Sequence, residues 1–102
     1  MTDPTLSALS AAYPALTWSR RRGKGCTRYH GRSTDFRFPL VTVKVTDGRE
    51  GVDCILSVPY VGCESYGYAY GAVPAVARAV ANWRKDAARG EAVVVAVFGG
   101  AS

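Results

Sequence analysis

The chain is poor in the side chains that most often bind metals or act as acids and bases in catalysis. It contains three cysteines and a single histidine. Cys26, Cys54 and Cys63 form no C-x-x-C pair, and an odd number of cysteines argues against a closed disulfide framework. Their spacing to His30 matches no recurring zinc pattern. We therefore expect no metal, no cofactor and a reducing compartment, the cytoplasm.

Long apolar runs and the common catalytic motifs are also missing. No stretch approaches the ~20 apolar residues that a helix needs to cross a bilayer. Met1–Leu9 holds no basic residue, so we expect neither a secretory signal nor a membrane partner. The sequence lacks the G-x-S-x-G, Walker and G-x-G-x-x-G motifs. These absences favour a protein that is not an enzyme.

The residues that are present predict one α+β domain. The chain has 102 residues, 48% of them hydrophobic, which is enough for a single core. We expect a mostly antiparallel sheet of four to five strands with two helices packed on one face. Apolar residues at helical spacing predict helices over Thr5–Tyr13 and Val73–Ala87. The valine-rich run Ala92–Phe98 is expected to be a strand buried on both faces, and hence central in the sheet.

The remaining strands are separated by glycine-containing segments. Strands are predicted from Leu16 onward, over Phe36–Val45 and over Gly51–Val58. The basic, glycine-rich segment Arg22–Asp35 is expected to be a hairpin tip or loop.

The strongest turn signal is Asp47-Gly48. A two-residue turn there predicts a hairpin in which Val43 pairs with Val52. This register places Cys54 on the apolar face, where it would be a small buried side chain.

Positive charge is concentrated in one segment. The chain has a net charge of +5, whereas the segment Arg20–Arg37 alone carries seven basic residues against Asp35, a net of +6. A local positive field implies an anionic partner, although the same residues could form a plain solvated surface or contact an acidic protein. The seven are Arg20, Arg21, Arg22, Lys24, Arg28, Arg32 and Arg37, and the exposed face of the second helix adds Arg78, Lys85 and Arg89.

Three tyrosines alternate shortly before the second helix. In an extended segment Tyr66, Tyr68 and Tyr70 share one face. They could stack on unpaired bases, form a protein-binding hot spot, or cover the edge of the core with their hydroxyls in water.

His30 lies among basic and aromatic residues and could cleave RNA as a general acid or base, or be an exposed loop histidine. The order of a helix, a strand and then Gly23–His30 (GKGCTRYH) slightly resembles the HicA ribonuclease toxins. The resemblance implies a fold like that of double-stranded-RNA-binding domains, and it covers at most Leu6–Val45. In that family the active histidine directly follows a Gly-Ser pair, whereas here His30 comes three positions after Thr27. No site residue is therefore carried across.

The sequence predicts a small non-enzymatic binding protein that holds nucleic acid through the Arg20–Arg37 segment and the basic helix face. One alternative is a phage or mobile-element inhibitor that binds and blocks a host nucleic-acid-targeting complex, as anti-CRISPR proteins do. Another is a HicA-like ribonuclease toxin acting through His30.

Overall fold

The computed structural model describes residues 3–34, 41–58, 63–86 and 97–98. Five antiparallel strands form one open sheet with two helices packed against it, which confirms the α+β class. Each strand pairs with the next along the chain. In the described residues no helix is long and apolar enough to cross a bilayer. In chain order the elements are α1 (Pro4–Ala12), β1 (Leu16–Gly23), β2 (Cys26–Ser33), β3 (Thr42–Gly48), β4 (Gly51–Val58), β5 (Cys63–Ala69) and α2 (Ala72–Asp86).

The centre of the described sheet is β3, in the unbroken strand order β1-β2-β3-β4-β5. The C-terminal central strand was predicted over Ala92–Phe98. Of that run the structure describes Val97 and Phe98, which are helical and buried, and the other residues lie outside the described part. A valine-rich run indicates burial, and burial alone does not distinguish a strand from another buried segment.

One face of the sheet packs against both helices to form the core. Alternate residues of β3 and β4 point toward the helices, because side chains along a strand alternate between the two faces. Cys54 is buried there as predicted, and burial raises the pKa of its thiol to about 12. The largest fully buried side chains of the described core are Leu9, Val41, Val43, Val45, Cys54, Leu56, Val76 and Val97.

Helix α2 lies directly on β5 at Gly67. A Cβ atom at Gly67 would collide with the carbonyl oxygen of Ala75 and the backbone nitrogen of Ala79. Only glycine therefore allows the helix to approach the strand this closely. At the same contact the Ser65 hydroxyl donates a hydrogen bond to the Ala79 carbonyl oxygen at 2.6 Å.

Helix α1 is attached to the sheet through Asp3. One carboxylate oxygen caps the helix by accepting hydrogen bonds from the backbone N–H groups of Thr5 and Leu6, at 2.9 and 3.2 Å. The other oxygen accepts from the Arg20 guanidinium and the Tyr29 hydroxyl, both at 3.0 Å. A single carboxylate thus connects α1 with β1 and β2.

Strand β2 replaces most of the hairpin tip or loop expected over Arg22–Asp35, of which Asp35 lies outside the described residues. The tip itself is the two-residue turn Lys24-Gly25, with Gly25 at a φ of 71°. On the core side β2 has Gly31, and a Cβ there would lie 2.9 Å from the Trp18 ring that covers it. The Trp18 indole N–H donates to the Tyr13 carbonyl oxygen at 3.2 Å. Since Tyr29 is the one large apolar side chain on the core side of β2 and Trp18 of β1 covers Gly31, the hydrophobic pattern of β2 was too weak to indicate a strand.

The β3–β4 hairpin is confirmed, but its turn is Arg49-Glu50 instead of Asp47-Gly48. Val43 consequently pairs with Leu56, where Val52 was expected. An Asp-Gly turn of the expected type needs a positive φ at the aspartate, and the positive φ here, 133°, belongs to Gly51. Because the partner of each residue moves from the predicted one by four positions, an even number, every side chain keeps its predicted face.

Gly67→Ala should destabilise the protein more than Gly31→Ala. At Gly67 the added methyl meets helix backbone, whereas at Gly31 it meets a tryptophan ring that can tilt. We expect a loss of about 1–3 kcal/mol for Gly31→Ala and a larger loss for Gly67→Ala, measured by urea denaturation. Equal losses would contradict the close seating of α2 on β5.

Asp3 should make stability depend on pH. Burial acts to raise the pKa of Asp3, but hydrogen bonds from Arg20, Tyr29 and two backbone N–H groups outweigh it and hold the pKa below its ordinary value of 3.8. The stabilisation by the ionised carboxylate is therefore present above that value and is lost as the pH falls through the lower pKa of the folded protein.

Asp3→Asn keeps a capping oxygen and removes the charge that faces Arg20. We expect its Tm to lie a few degrees below that of the parent protein at neutral pH and to approach it as the pH falls below 3.8 and through the lower pKa of folded Asp3. Asp3→Ala, which also removes the cap, should unfold at a lower temperature than Asp3→Asn throughout. A gap between the parent and Asp3→Asn that does not narrow in acid would contradict this account.

Candidate functional site

The face of the sheet that points away from the helices is covered by no described element. We call it the open face. Apart from Ile55 and two tyrosines, its side chains are polar or charged. Strand register arranges them in three rows that cross the sheet: Thr17, Arg32, Thr42, Ser57 and Glu64; Ser19, His30, Lys44, Ile55 and Tyr66; Arg21, Arg28, Thr46, Asp53 and Tyr68.

The part of the open face formed by β1, β2 and β3 carries four cations and no acidic side chain. Arg21 and Arg28 are direct cross-strand partners, and Arg32 and Lys44 extend the patch across β2 and β3. None of the four makes an ion pair within residues 3–34, 41–58 and 63–86. Like charges placed directly opposite destabilise a sheet. An anion bound between them would relieve that repulsion.

His30 lies in the middle of this cationic patch, opposite Lys44 on one side and Ser19 on the other. Burial and the positive charges of Arg21, Lys44 and Arg28 all lower the pKa of His30 below its ordinary value of 6.5. The imidazole is therefore mostly neutral at pH 7 and can act as a hydrogen-bond donor and acceptor. Together with Arg32 it lines a shallow depression of about 700 Å³.

The two tyrosines of β5 also lie on the open face, at the end of the sheet away from β1, and they are exposed. Tyr66 is 60% exposed and Tyr68 is 44% exposed, so they do not cover the edge of the core. Tyr70 follows β5, is also exposed, and packs edge-to-face against Tyr68 with ring centroids 5.9 Å apart. At the free edge of β5, the Asn82 side chain donates to the Tyr66 carbonyl oxygen at 2.7 Å. The predicted common face of Tyr66 and Tyr68 is confirmed by the register.

The structure separates the other predicted site residues from this patch. Arg20 belongs to the opposite face of β1, where it is paired with Asp3. By strand alternation Arg22 shares the face of Arg20, and Lys24 is in the turn. Arg78 is exposed on α2, on the far side of the sheet. Arg37, Arg89 and the side chain of Lys85 lie outside the described part.

Two residues of the open face took no part in the predicted binding site. Lys44 lies outside the basic segment in sequence, and the pairing of β2 with β3 brings it next to His30. His30 was predicted to be a general acid or base or an exposed loop histidine, and not a binding residue. Within the described residues, no group of three or more His, Cys, Asp or Glu side chains could hold a metal ion. Comparisons of the chain with protein-family models, curated proteins and solved structures found no match.

The pKa of His30 offers a direct check of the patch. In an NMR titration we expect a midpoint below 6.5, and Lys44→Gln should raise it because a neighbouring cation is removed. Since the unfolded chain binds this proton more readily than the folded protein, stability should fall as the pH drops through 6.5. Arg78→Gln, on the far side of the sheet, should leave the midpoint unchanged. An unshifted midpoint in the parent protein would contradict the placement of His30.

Proposed function

We propose that this protein binds nucleic acid through the open face and has no catalytic activity. The observation that carries the proposal is the set of four cations on β1, β2 and β3, which share one face and have no anionic partner within the described residues. Arginine side chains bind phosphate groups through two parallel hydrogen bonds, and such contacts position a nucleic acid on a protein.

The geometry of the strands supports this proposal. Neighbouring strands lie about 4.8 Å apart, so Arg21, Arg28 and Lys44 span about 10 Å across the sheet. Like-charge neighbours lower the stability of the free protein, and a polyanion is the kind of ligand that restores it. Around them the open face offers the hydroxyl groups of Thr17, Ser19 and Thr42 as neutral phosphate contacts.

Arg28→Gln and Arg78→Gln form a matched pair for testing the proposal. Both arginines are exposed and lie on opposite sides of the sheet. We expect binding of labelled RNA or DNA to weaken with salt, with a slope of about −3 in log affinity against log salt if all four cations contact phosphates. Arg28→Gln should reduce that slope by roughly 0.7–0.9, and Arg78→Gln should leave it unchanged.

Stability gives this experiment an internal control. Removing one of two facing arginines should leave the Tm of Arg28→Gln equal to or above that of the parent, so weaker binding could not be attributed to unfolding. Absence of binding at low salt, affinity independent of salt, or equal losses in the two variants would each contradict the proposal.

The same face also suits a protein partner, because arginine and tyrosine are enriched in binding hot spots. The inhibitor of a host nucleic-acid-targeting complex therefore stays a candidate, favoured by the exposure of Tyr66 and Tyr68 on the same face as the cations. Affinity purification with and without nuclease treatment separates the two, since a protein partner is retained when nucleic acid is digested. RNA cleavage by His30 also stays a prediction, and His30→Ala tests it.

A further inference from the structure

The open face is divided by charge. The β1, β2 and β3 side carries the cations, whereas the β4 and β5 side carries Asp53 and Glu64 next to the two tyrosines. Asp53 is the direct cross-strand partner of Tyr68, and it is exposed. A phosphate group placed over this second half would meet carboxylates instead of guanidinium groups. The two halves therefore suit different parts of one ligand.

The tyrosines of this second half present their rings and not their hydroxyls. The Tyr66 hydroxyl donates to a carboxylate oxygen of Glu64 at 2.9 Å. The Tyr68 hydroxyl donates to the backbone carbonyl oxygen of Glu50, in the β3–β4 turn. Each hydroxyl already has an acceptor. The hydrogen bond to Glu64 and its charge raise the pKa of Tyr66, whereas desolvation, then Tyr70, and only then the charges of Asp53 and Glu50 raise the pKa of Tyr68, so both phenols stay neutral. What remains available to a ligand is the aromatic surface.

From these features we infer that the ligand is a single-stranded nucleic acid, with its phosphates along β1, β2 and β3 and its unpaired bases stacked on Tyr66 and Tyr68. The inference rests on the proposed function, since it specifies the class of nucleic acid that the same face binds. Any base has a flat aromatic face, so stacking on exposed rings tolerates many sequences. Acidic residues beside the rings keep the phosphates on the other half and so orient the strand across the sheet.

A duplex fits this face less well, for two physical reasons. Its bases are stacked on each other and paired, so they have no free faces for Tyr66 and Tyr68. Its outer surface carries phosphates on both strands, so a duplex lying across the sheet would bring phosphates over Asp53. Both effects favour the single strand.

The experiment compares four fluorescent probes of equal length. Each has about 12 nucleotides, within the ~4–16 that strand-binding domains cover. They are a single-stranded RNA, a single-stranded DNA, the corresponding DNA duplex, and a DNA strand in which every base is replaced by an abasic site. The abasic strand keeps the phosphates and lacks the rings. We expect one or both single strands to bind more tightly than the duplex and the abasic strand, and the RNA and DNA arms identify which sugar is preferred.

Tyr66→Leu and Tyr66→Phe are the matched variants. Leucine removes the ring, and phenylalanine keeps it while removing the hydroxyl. We expect Tyr66→Leu to weaken single-strand binding about 5- to 150-fold and to leave the abasic strand and the salt slope unaffected. Tyr66→Phe should bind like the parent. Tyr68→Leu should repeat the result of Tyr66→Leu, and unchanged thermal unfolding of the Tyr66 variants excludes a folding defect.

The outcomes distinguish the two proposals. If duplex, abasic and single strands all bind equally, with a normal salt slope, nucleic-acid binding stands and the single-strand inference is overturned. If Tyr66→Phe loses as much affinity as Tyr66→Leu, stacking is overturned as well, because the hydroxyl would then be the contact. If none of the four probes binds at low salt, the proposed function fails and the inference fails with it.

Discussion

The close contact between α2 and β5 at Gly67 determines which face of the sheet is buried. Backbone lies against backbone there, and the Ser65 hydroxyl bonds to the helix within the same contact. Once that face is closed, strand alternation assigns every second residue of all five strands to the other face. The spatial arrangement of the cations and of the tyrosine rings is thus a consequence of where one helix lies.

Much of the fold could be predicted because the alternation of side chains between the two faces of a sheet is unchanged when a register is wrong by an even number of residues. The β3–β4 turn was misplaced by two residues, yet Val43 and Cys54 kept their buried face, since an even shift leaves the face unchanged. Strand β2 was missed for the opposite reason. Its core side carries Tyr29, Gly31 and Ser33, and a tryptophan from the neighbouring strand covers Gly31, so its own sequence has little hydrophobic pattern. Of the run Ala92–Phe98, the structure describes only Val97 and Phe98, which are buried.

The sequence indicated the chemistry of the candidate site, but it did not indicate all of the residues that form it. Charge density alone indicated the basic segment, and three of its arginines do share the open face. It could not indicate that Arg20 is neutralised by Asp3, because that ion pair joins residues 17 positions apart through the folding of α1 onto the sheet. Nor could it bring in Lys44, which joins the patch only through cross-strand pairing. The exposure of the tyrosines likewise depends on which face α2 covers.

Both edges of the sheet carry features that oppose the addition of another strand. In the described sheet β1 is an edge strand that carries Arg21 and Arg22, neither of them ion-paired among the described residues, so a second copy that paired with it would meet repulsion between like charges. On the other edge, Asn82 occupies the Tyr66 carbonyl oxygen, an acceptor that an incoming strand would need. The positive charges on β1 therefore oppose the edge-to-edge aggregation to which an open antiparallel sheet is prone.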